Sequence, residues 1–270
     1  GLGRPVQTAD TVSLRGLDGI VFYEPAEMVI CARAGTPLET IETLLAERNQ
    51  ILPFEPPDHR RLYGSSGEPT IGAIAAGNLS GSRRISVGAA RDGLIGVRFV
   101  NGAGEAIKSG GRVMKNVTGL DLVKLSAGAH GTLGALTEVT FKLLPKPETS
   151  ATLVLDGLDD SRAVQALSRA LGSPFEVSGA AHLPAGVGGD SARTLLRIEN
   201  FAASVAYRID ELRKLLGGGA VMEDAVSRAL WRDISECAFF AAPLLTFSTS
   251  SPPSSRSCLA CWRAASAAVL

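Results

Sequence analysis

The feature that most constrains the fold of this chain is a regular run of glycines placed directly before a strand pattern. In the segment SAGAHGTLGALTE (126–138), Gly128, Gly131 and Gly134 occupy every third position. The residues that follow, ALTEVTFKLLP (135–145), have the apolar pattern of a buried strand. Because glycine has no Cβ, such a run either permits unusual backbone dihedral angles or lets something lie flat against the backbone.

A second segment rich in glycine and small residues, TIGAIAAGNLSG (70–81), lies roughly fifty residues upstream. Ile71, Ile74 and Ala75 have helical spacing within it. Backbone amides at glycine turns and helix ends can bind phosphate or diphosphate groups. The alternative is that the glycines serve turns and close helix–strand packing alone. Two such segments around one hairpin favour the ligand-binding interpretation.

The neighbouring patterns predict a domain of mixed helices and strands. The segment MVICARAG (28–35) predicts a strand, and PLETIETLLAERNQ (37–50) predicts a helix that begins near its proline. LIGVRFVNGAGEAIKSGG (94–111) predicts a hairpin with its turn at Asn101–Gly102. Neither GxGxxG nor GxxxxGK[ST] occurs, so a Rossmann NAD site and a P-loop are unsupported.

The pattern changes after Pro147 and predicts a second unit. Strand, helix, two strands and helix follow one another, and then a possible strand at AVM (220–222) and a helix at EDAVSRALWRDI (223–234). This order is typical of a ferredoxin-like α+β domain. We therefore expect an α+β chain with one domain over 1–147, a second over 148–240 and a disordered tail over 241–270.

Composition excludes several classes of function. Lys plus Arg and Asp plus Glu both number 27, so the basic excess of a nucleic-acid-binding protein is absent. No window approaches the ~18 apolar residues that cross a bilayer. Cys258 and Cys261 form a CxxC without further ligands nearby, so we expect no metal there. Four irregularly spaced cysteines fit a reducing compartment, and the three histidines stand apart, so no catalytic residue can be named.

Several ordered motifs carry a resemblance to a known family. The runs PFEPPD (53–58), PTIGAIAAGNLSG (69–81), RRISVGAARDGLIGVRFVNGAGE (83–105) and KNVTGLDLVKLSAGAHGTLGALTEVTFKLLPKP (115–147) resemble the PCMH-type FAD-binding fold of the vanillyl-alcohol oxidase superfamily. Together with RAGTPLETIE (33–42), they are similar to the FAD-binding E subunits of bacterial glycolate oxidases (glycolate dehydrogenases). The ferredoxin-like unit would be that superfamily's cap domain.

The resemblance assigns residues to FAD. It implies that Thr70, Ile71 and Gly72 touch the diphosphate, and that the turn at Gly131 and Gly134 lines the adenine or the isoalloxazine. The full set that it implies is Asp58, Thr70, Ile71, Gly72, Gly77, Ser80, Gly81, Arg84, Gly131, Thr132, Gly134, Ala135 and Leu136. We expect a backbone cradle at Gly131, Thr132 and Gly134, with Gly131 or Gly134 at positive φ. Lys115, Asn116 and Asp121 would hold the helix that precedes it.

The resemblance also implies a function. The chain would be the FAD-carrying subunit of a complex that oxidises glycolate to glyoxylate, with a larger flavin subunit and an iron–sulfur subunit as partners. It would be cytoplasmic, associated with the membrane through those partners, and inactive alone. Since the family's glycine-rich pyrophosphate loop lies upstream of residue 1, the FAD domain is expected to be N-terminally incomplete. Two alternatives stay open: a non-catalytic or truncated assembly subunit without cofactor, and a stand-alone dehydrogenase of D-2-hydroxy acids such as D-lactate.

Overall fold

The first part of the chain is built on a five-stranded antiparallel sheet. The computed structural model describes residues 8, 10–111 and 120–240. The strands up to residue 145 are β1 Ile20–Glu24, β2 Val29–Arg33, β3 Gln50–Ile51, β4 Leu94–Val100, β5 Ala106–Gly110, β6 Ala135–Lys142 and β7 Leu144–Pro145. The large sheet has the order β1-β2-β6-β4-β5, and β3 pairs with β7 separately. The strand that follows the glycine run, β6, therefore lies at the centre of the sheet.

Short helices cover one face of this sheet. The helices on this face are α1 Leu38–Ala46, α3 Ile71–Gly77, α5 Ala90–Gly93 and α6 Leu122–Ser126, whereas α2 Arg60–Tyr63 and α4 Arg84–Val87 contact residues after position 178. Ile41 of α1 and Ile74 of α3 pack with Val97 and Val139 of the sheet in one apolar core. The opposite face carries charged side chains, such as the cross-strand ion pair of Arg98 with Glu138 at 3.3 Å. The core thus lies between the sheet and α1, α3 and their neighbours.

A second antiparallel sheet follows. Its strands are β8 Thr149–Asp156, β9 Gly179–Leu183, β10 Arg193–Asn200 and β11 Ala220–Glu223, and its helices are α7 Asp160–Leu171, α8 Ala202–Leu216 and α9 Asp224–Ser235. The strand order β11-β8-β10-β9 places the fourth strand beside the first and the third beside the second. With the βαββαβ element order, this is the ferredoxin-like arrangement, so that prediction is confirmed.

Both faces of the second sheet are covered. Leu196 and Ile198 of β10 point into the core that contains Val205 and Ile209 of α8. On the other face, Trp231 of α9 packs with apolar residues of three strands. Single turns of 3₁₀ helix at Pro25–Glu27 and Ala238–Phe240 complete the described elements.

Sequence reasoning missed or misplaced some elements. It did not predict β1 or the two-residue strands β3 and β7. The hairpin of β4 and β5 has a five-residue loop, 101–105, instead of a two-residue turn, because Val100 pairs with Ala106. The Asn101 Oδ1 accepts the amides of Ala103 and Glu105 at 2.9 and 3.0 Å, which stabilises the longer loop. The predicted tail, the CxxC pair, Lys115 and Asn116 lie outside the described residues, and the boundary at residue 147 stays a prediction.

Candidate functional site

The start of α3 is fastened to the end of β2. The Ile71 amide donates to the Thr36 carbonyl at 3.0 Å, and the Gly72 amide donates to the Ala34 carbonyl at 2.9 Å. The Thr70 hydroxyl caps the helix by accepting an amide of its first turn at 3.4 Å. A Cβ at Gly72 would lie 2.5 Å from that of Ala34, so glycine allows the close approach. The predicted contact of these residues with a diphosphate stays a prediction, and the Ile71 and Gly72 amides already have protein acceptors.

The glycine-rich run before β6 docks onto the other end of α3. We call residues 128–134 the glycine loop. The Gly128 amide donates to the Ala75 carbonyl at 3.3 Å, and the His130 amide donates to the Ala76 carbonyl at 2.9 Å. The His130 amide thereby satisfies a carbonyl at the end of the helix, and the Gly128 amide shares the Ala75 carbonyl with the Asn78 amide. The two glycine-rich segments, far apart in sequence, meet at this point.

Within the glycine loop, the two later glycines have different surroundings. Gly131 has φ 76° and Gly134 has φ 153°, so the predicted positive φ is confirmed at both. A Cβ on Gly134 would lie 2.7 Å from the ring of Phe99 and 2.7 Å from the Val100 carbonyl, which shows tight packing. At Gly131 the nearest atom would be 4.0 Å away. Gly134 therefore serves packing, and Gly131 leaves the backbone open.

Gly131 and its neighbours form an exposed turn with free amides. Thr132 closes the turn, since its amide and its hydroxyl both donate to the Ala129 carbonyl, at 2.9 and 2.7 Å. The amides of Gly131 and Leu133 donate to no acceptor among the residues that the structure describes. Free amides on a surface without side chains can bind an anionic group or the edge of a ring. Gly131 and Thr132 therefore form the best candidate for the predicted cradle.

The elements on either side hold the glycine loop in place. Asp121 caps α6 by accepting the Lys124 amide at 3.0 Å, as the sequence predicted for the helix before the loop. After the loop, Ala135 and Leu136 begin β6 and pair with β4. The Leu136 side chain is buried in the core and its backbone pairs with Phe99, so its predicted contact with FAD stays a prediction.

The remaining residues of the α3 segment are used in local contacts. Gly77 ends the helix, and Asn78 follows it in the left-handed conformation at φ 50°. The Asn78 Oδ1 accepts the Arg91 amide and the Ser80 Oγ accepts the Ala90 amide, both at 2.8 Å. These bonds fix the segment on α5.

Three predicted residues lie apart from the glycine loop, near a cleft between the two sheets. The cleft has a volume of about 600 Å³ and is lined by α1, the proline-rich loop 52–58 and α9. Asp58 lines it, and Arg84 is exposed at the start of α4. Gly81 donates its amide to Phe54 at 2.8 Å, and a Cβ there would lie 2.5 Å from both the Glu55 carbonyl and the Ser235 hydroxyl. The structure therefore separates the predicted residues into two groups.

Local contacts explain the charge state of Asp58. Burial alone would raise the pKa of the Asp58 carboxyl, but hydrogen bonds from Arg60 outweigh it and lower the pKa below its ordinary value. The Arg60 side chain donates at 2.7 Å and its amide at 3.0 Å. Asp58 is therefore an ionised partner of Arg60 and is poorly suited to act as a general base.

Sequence reasoning missed a cluster of four charged side chains between the sheets. They are Glu55, Arg83, Arg197 and Glu199. The available signal was RIE (197–199), which places an Arg and a Glu on the same face of an otherwise apolar strand. A charged pair on a buried strand face needs partners, and the rest of the chain had to supply them.

The three histidines are dispersed. The His59 Nε2 lies 3.3 Å from the Ser235 carbonyl, and the His182 Nδ1 lies 2.9 Å from the Thr194 hydroxyl. His130 is exposed on the glycine loop. No group of three or more His, Cys, Asp and Glu residues that could hold a metal occurs in the described part of the chain.

Comparisons with known proteins point to one family and to several relatives. Residues 2–110 match the FAD binding domain family. The chain is 39% identical over 244 residues to the glycolate oxidase subunit GlcE of Escherichia coli (strain K12), covering 90% of this chain and 63% of that protein. It is 37% identical over 163 residues to the glycolate oxidase subunit GlcD of Bacillus subtilis (strain 168), covering 60% and 32%. The chain thus spans less than two thirds of either relative.

A solved structure supports the fold alone. An alkyldihydroxyacetonephosphate synthase matches with a TM-score of 0.66 at 17% identity, over 86% of this chain and 46% of that one. Separately, none of the helices in the described ranges is long and apolar enough to span a membrane.

Proposed function

We propose that this chain, whose residues 2–110 match the FAD binding domain family, is the FAD-carrying subunit of a complex that oxidises glycolate to glyoxylate. The observation that carries the proposal is the docking of the glycine loop on α3, which brings the two predicted FAD segments together. The 39% identity to a glycolate oxidase subunit over most of the chain supports the choice of complex.

The residues of the glycine loop fit a flat dinucleotide. Gly131 has open space where a side chain would stand, and the amides of Gly131 and Leu133 are free donors in the described part of the chain. FAD combines flat ring systems with a charged diphosphate, so it needs both a surface without side chains and backbone donors. Gly134 contributes indirectly, since its packing on Phe99 fixes the position of the turn.

Bound FAD supplies an acceptor for the two electrons and the hydrogen that leave the carbinol carbon when a 2-hydroxy acid becomes a 2-oxo acid. The part assigned to this chain is to bind and orient. Its amides at Gly131 and Leu133 would hold the cofactor, and the bonds from the glycine loop to Ala75 and Ala76 would fix its orientation. The dispersed histidines supply no base, so the partners would provide the groups that react with substrate.

The proposal includes partners and a location. The larger flavin subunit and the iron–sulfur subunit of the same complex would accept electrons from this chain or pass them to it. The location would be cytoplasmic, with membrane attachment through those partners. Fractionation of cells with and without the partner subunits tests this part, and membrane recovery of the chain when both partners are deleted would contradict it.

A titration with FAD tests cofactor binding. We expect the chain to bind FAD near one equivalent, with flavin absorption bands that persist on gel filtration. Gly131→Val should weaken binding about tenfold or more, because a side chain would cover the free amides. Gly186→Val is the matched control, since Gly186 also has positive φ (86°) and open space, but lies on a loop of the second sheet. Equal weakening by both variants, or no binding by the chain, would contradict the proposal.

Substrate oxidation tests the complex. The chain alone should not reduce a dye with glycolate, whereas co-expression with both partner subunits should give glycolate-dependent reduction that is lost when this chain is omitted. Robust turnover of D-lactate or glycolate by the isolated chain would instead favour a stand-alone dehydrogenase. If the partner subunits are fully active without this chain, the chain has no part in electron transfer and at most an assembly role.

A further inference from the structure

Four charged side chains join the two sheets in a closed set of contacts, which we call the inter-sheet ion ring. Glu199 of β10 is bound by the Arg83 Nε at 2.9 Å and by its Nη2 at 2.7 Å. Glu55 of the proline-rich loop is bound by the Arg197 Nη1 at 2.7 Å and by its Nη2 at 2.9 Å. The Arg197 Nε also lies 3.1 Å from Glu199, and the Arg83 amide donates to Glu55 at 2.9 Å. Two bidentate pairs are thus linked into one unit.

The inter-sheet ion ring is buried. The side chains of Arg197, Glu199 and Arg83 are only 3%, 5% and 8% exposed, and that of Glu55 is 27% exposed. The Arg197 guanidinium also lies 4.9 Å from the centre of the Trp231 ring. Buried ion pairs add little net stability compared with apolar packing, and their best-supported role is to specify one arrangement. A contribution to net stability therefore does not by itself explain the inter-sheet ion ring.

The ring lies next to Gly81, the last residue of the 70–81 segment that contains α3. Arg83 follows Gly81 by two residues, and the Gly81 amide donates to the Phe54 carbonyl at 2.8 Å. Glu55 is held at φ 47°, a left-handed conformation that is costly for a residue other than glycine. Its bonds to Arg197 and to the Arg83 amide stabilise that conformation. The position of the backbone at Gly81 thus depends on contacts with the second sheet.

We propose that Arg197 and Glu199 are positioning residues for the FAD site. Through Glu55 and Arg83 they fix the end of the 70–81 segment, and through it the end of α3 on which the glycine loop docks. The second sheet would thereby tune cofactor affinity without touching the cofactor. This inference rests on the proposed function, since it presumes that the glycine segments bind FAD.

The test measures the dissociation constant for FAD in Arg197→Met, Arg197→Lys and wild type. Flavin fluorescence gives the constant, at a temperature where urea unfolding shows every variant to be folded. Arg197→Met should bind FAD about 2- to 30-fold more weakly, the range expected for coupling through a packed network. Arg197→Lys should lie between Met and wild type, because an ammonium keeps the charge but cannot bridge both oxygens of Glu55. Visible circular dichroism of bound FAD should change in parallel.

Arg208→Met is the matched control. Arg208 forms a 2.7 Å pair with Glu176 and is 19% exposed, but that pair lies within the second unit. It should change the dissociation constant by less than about twofold. If Arg197→Met loses stability but keeps wild-type affinity and flavin dichroism, the positioning role is wrong and the ring only fastens the sheets. If wild type and the Arg208→Met control both fail to bind FAD, the proposed function is wrong and this inference falls with it.

Discussion

The region around the glycine loop and the ferredoxin-like unit stabilise their structures in different ways. Near the glycine loop the helices are short, with seven residues in α3 and five in α6, and His130 and Asn78 adopt left-handed conformations beside the glycines. In the ferredoxin-like unit α7, α8 and α9 have 12, 15 and 12 residues and cover both faces of one sheet. The first region depends on specific hydrogen bonds and missing side chains, and the second on apolar burial. The irregular region is therefore the one suited to bind a ligand.

The largest expected effect lies in the regular region. Trp231→Ala should lower the free energy of unfolding by about 3–5 kcal/mol, because it empties a fully packed position and removes the hydrogen bond from Nε1 to Thr152 at 2.8 Å. Val226→Ala on the same helix is the control, since Val226 is 60% exposed and its loss should cost less than about 0.5 kcal/mol. Urea unfolding measures both. A similar loss in the free energy of unfolding at the two positions would contradict the claim that apolar burial stabilises this unit.

A smaller effect separates the two glycines of the irregular region. Gly134→Ala should cost about 1–3 kcal/mol, because its Cβ would overlap Phe99. Gly131→Ala should cost about 1 kcal/mol, since only the strain of positive φ opposes it. Thermal unfolding of both variants gives the order. A larger cost at Gly131 would show that this turn is packed rather than open.

Low pH should weaken the contact between the two sheets, because that contact includes the carboxylate of Glu199. Burial alone would raise the pKa of Glu199, but hydrogen bonds and charges from Arg83 and Arg197 outweigh it and lower the pKa below its ordinary 4.5. The folded state then holds fewer protons than the unfolded state, so Glu199 stabilises the fold above about pH 4.5, and this is lost as pH falls through the folded pKa. Glu199→Gln should flatten the decline in stability below that pH. An unchanged decline would mean that other carboxyl groups cause it.

The smallest effect concerns the mouth of the cleft. Although the Glu42 side chain reaches solvent, partial desolvation by the cleft raises its pKa, and the nearby carboxylates of Asp58 and Glu236 add to the rise. A raised pKa means that the ionised carboxyl costs stability at neutral pH. Because solvent screens the charge of an exposed side chain, Glu42→Gln should stabilise by at most about 0.5 kcal/mol at pH 7, with no gain near pH 3, where Glu42 is protonated in both the folded and the unfolded state. Destabilisation at pH 7 would show that Arg232 pairs with Glu42 more strongly.

The difference between the irregular region around the glycine loop and the regular ferredoxin-like unit also determines what could be predicted from the sequence. Long amphipathic helices such as α8 repeat their apolar residues with the helical period, so the ferredoxin-like order could be predicted. The spacing of Gly131 and Gly134 predicted positive φ, since few other residues adopt it. The sequence could not show that Gly134 is tightly packed while Gly131 is open, because that difference depends on Phe99 of another strand. The inter-sheet ion ring was missed for the same reason, since Glu55 and Arg197 lie far apart in sequence.

Amide hydrogen exchange followed by NMR, with and without FAD, tests the central claim most directly. Exchange should slow at Gly131 and Leu133, whose amides are free among the described residues, and at Gly77 and Ser80. Exchange in β9, which carries no residue of the inter-sheet ion ring, should stay unchanged. Slowing that is confined to α1 and α9, the walls of the cleft, or no slowing anywhere, would contradict the assignment of the FAD site to the glycine loop and α3.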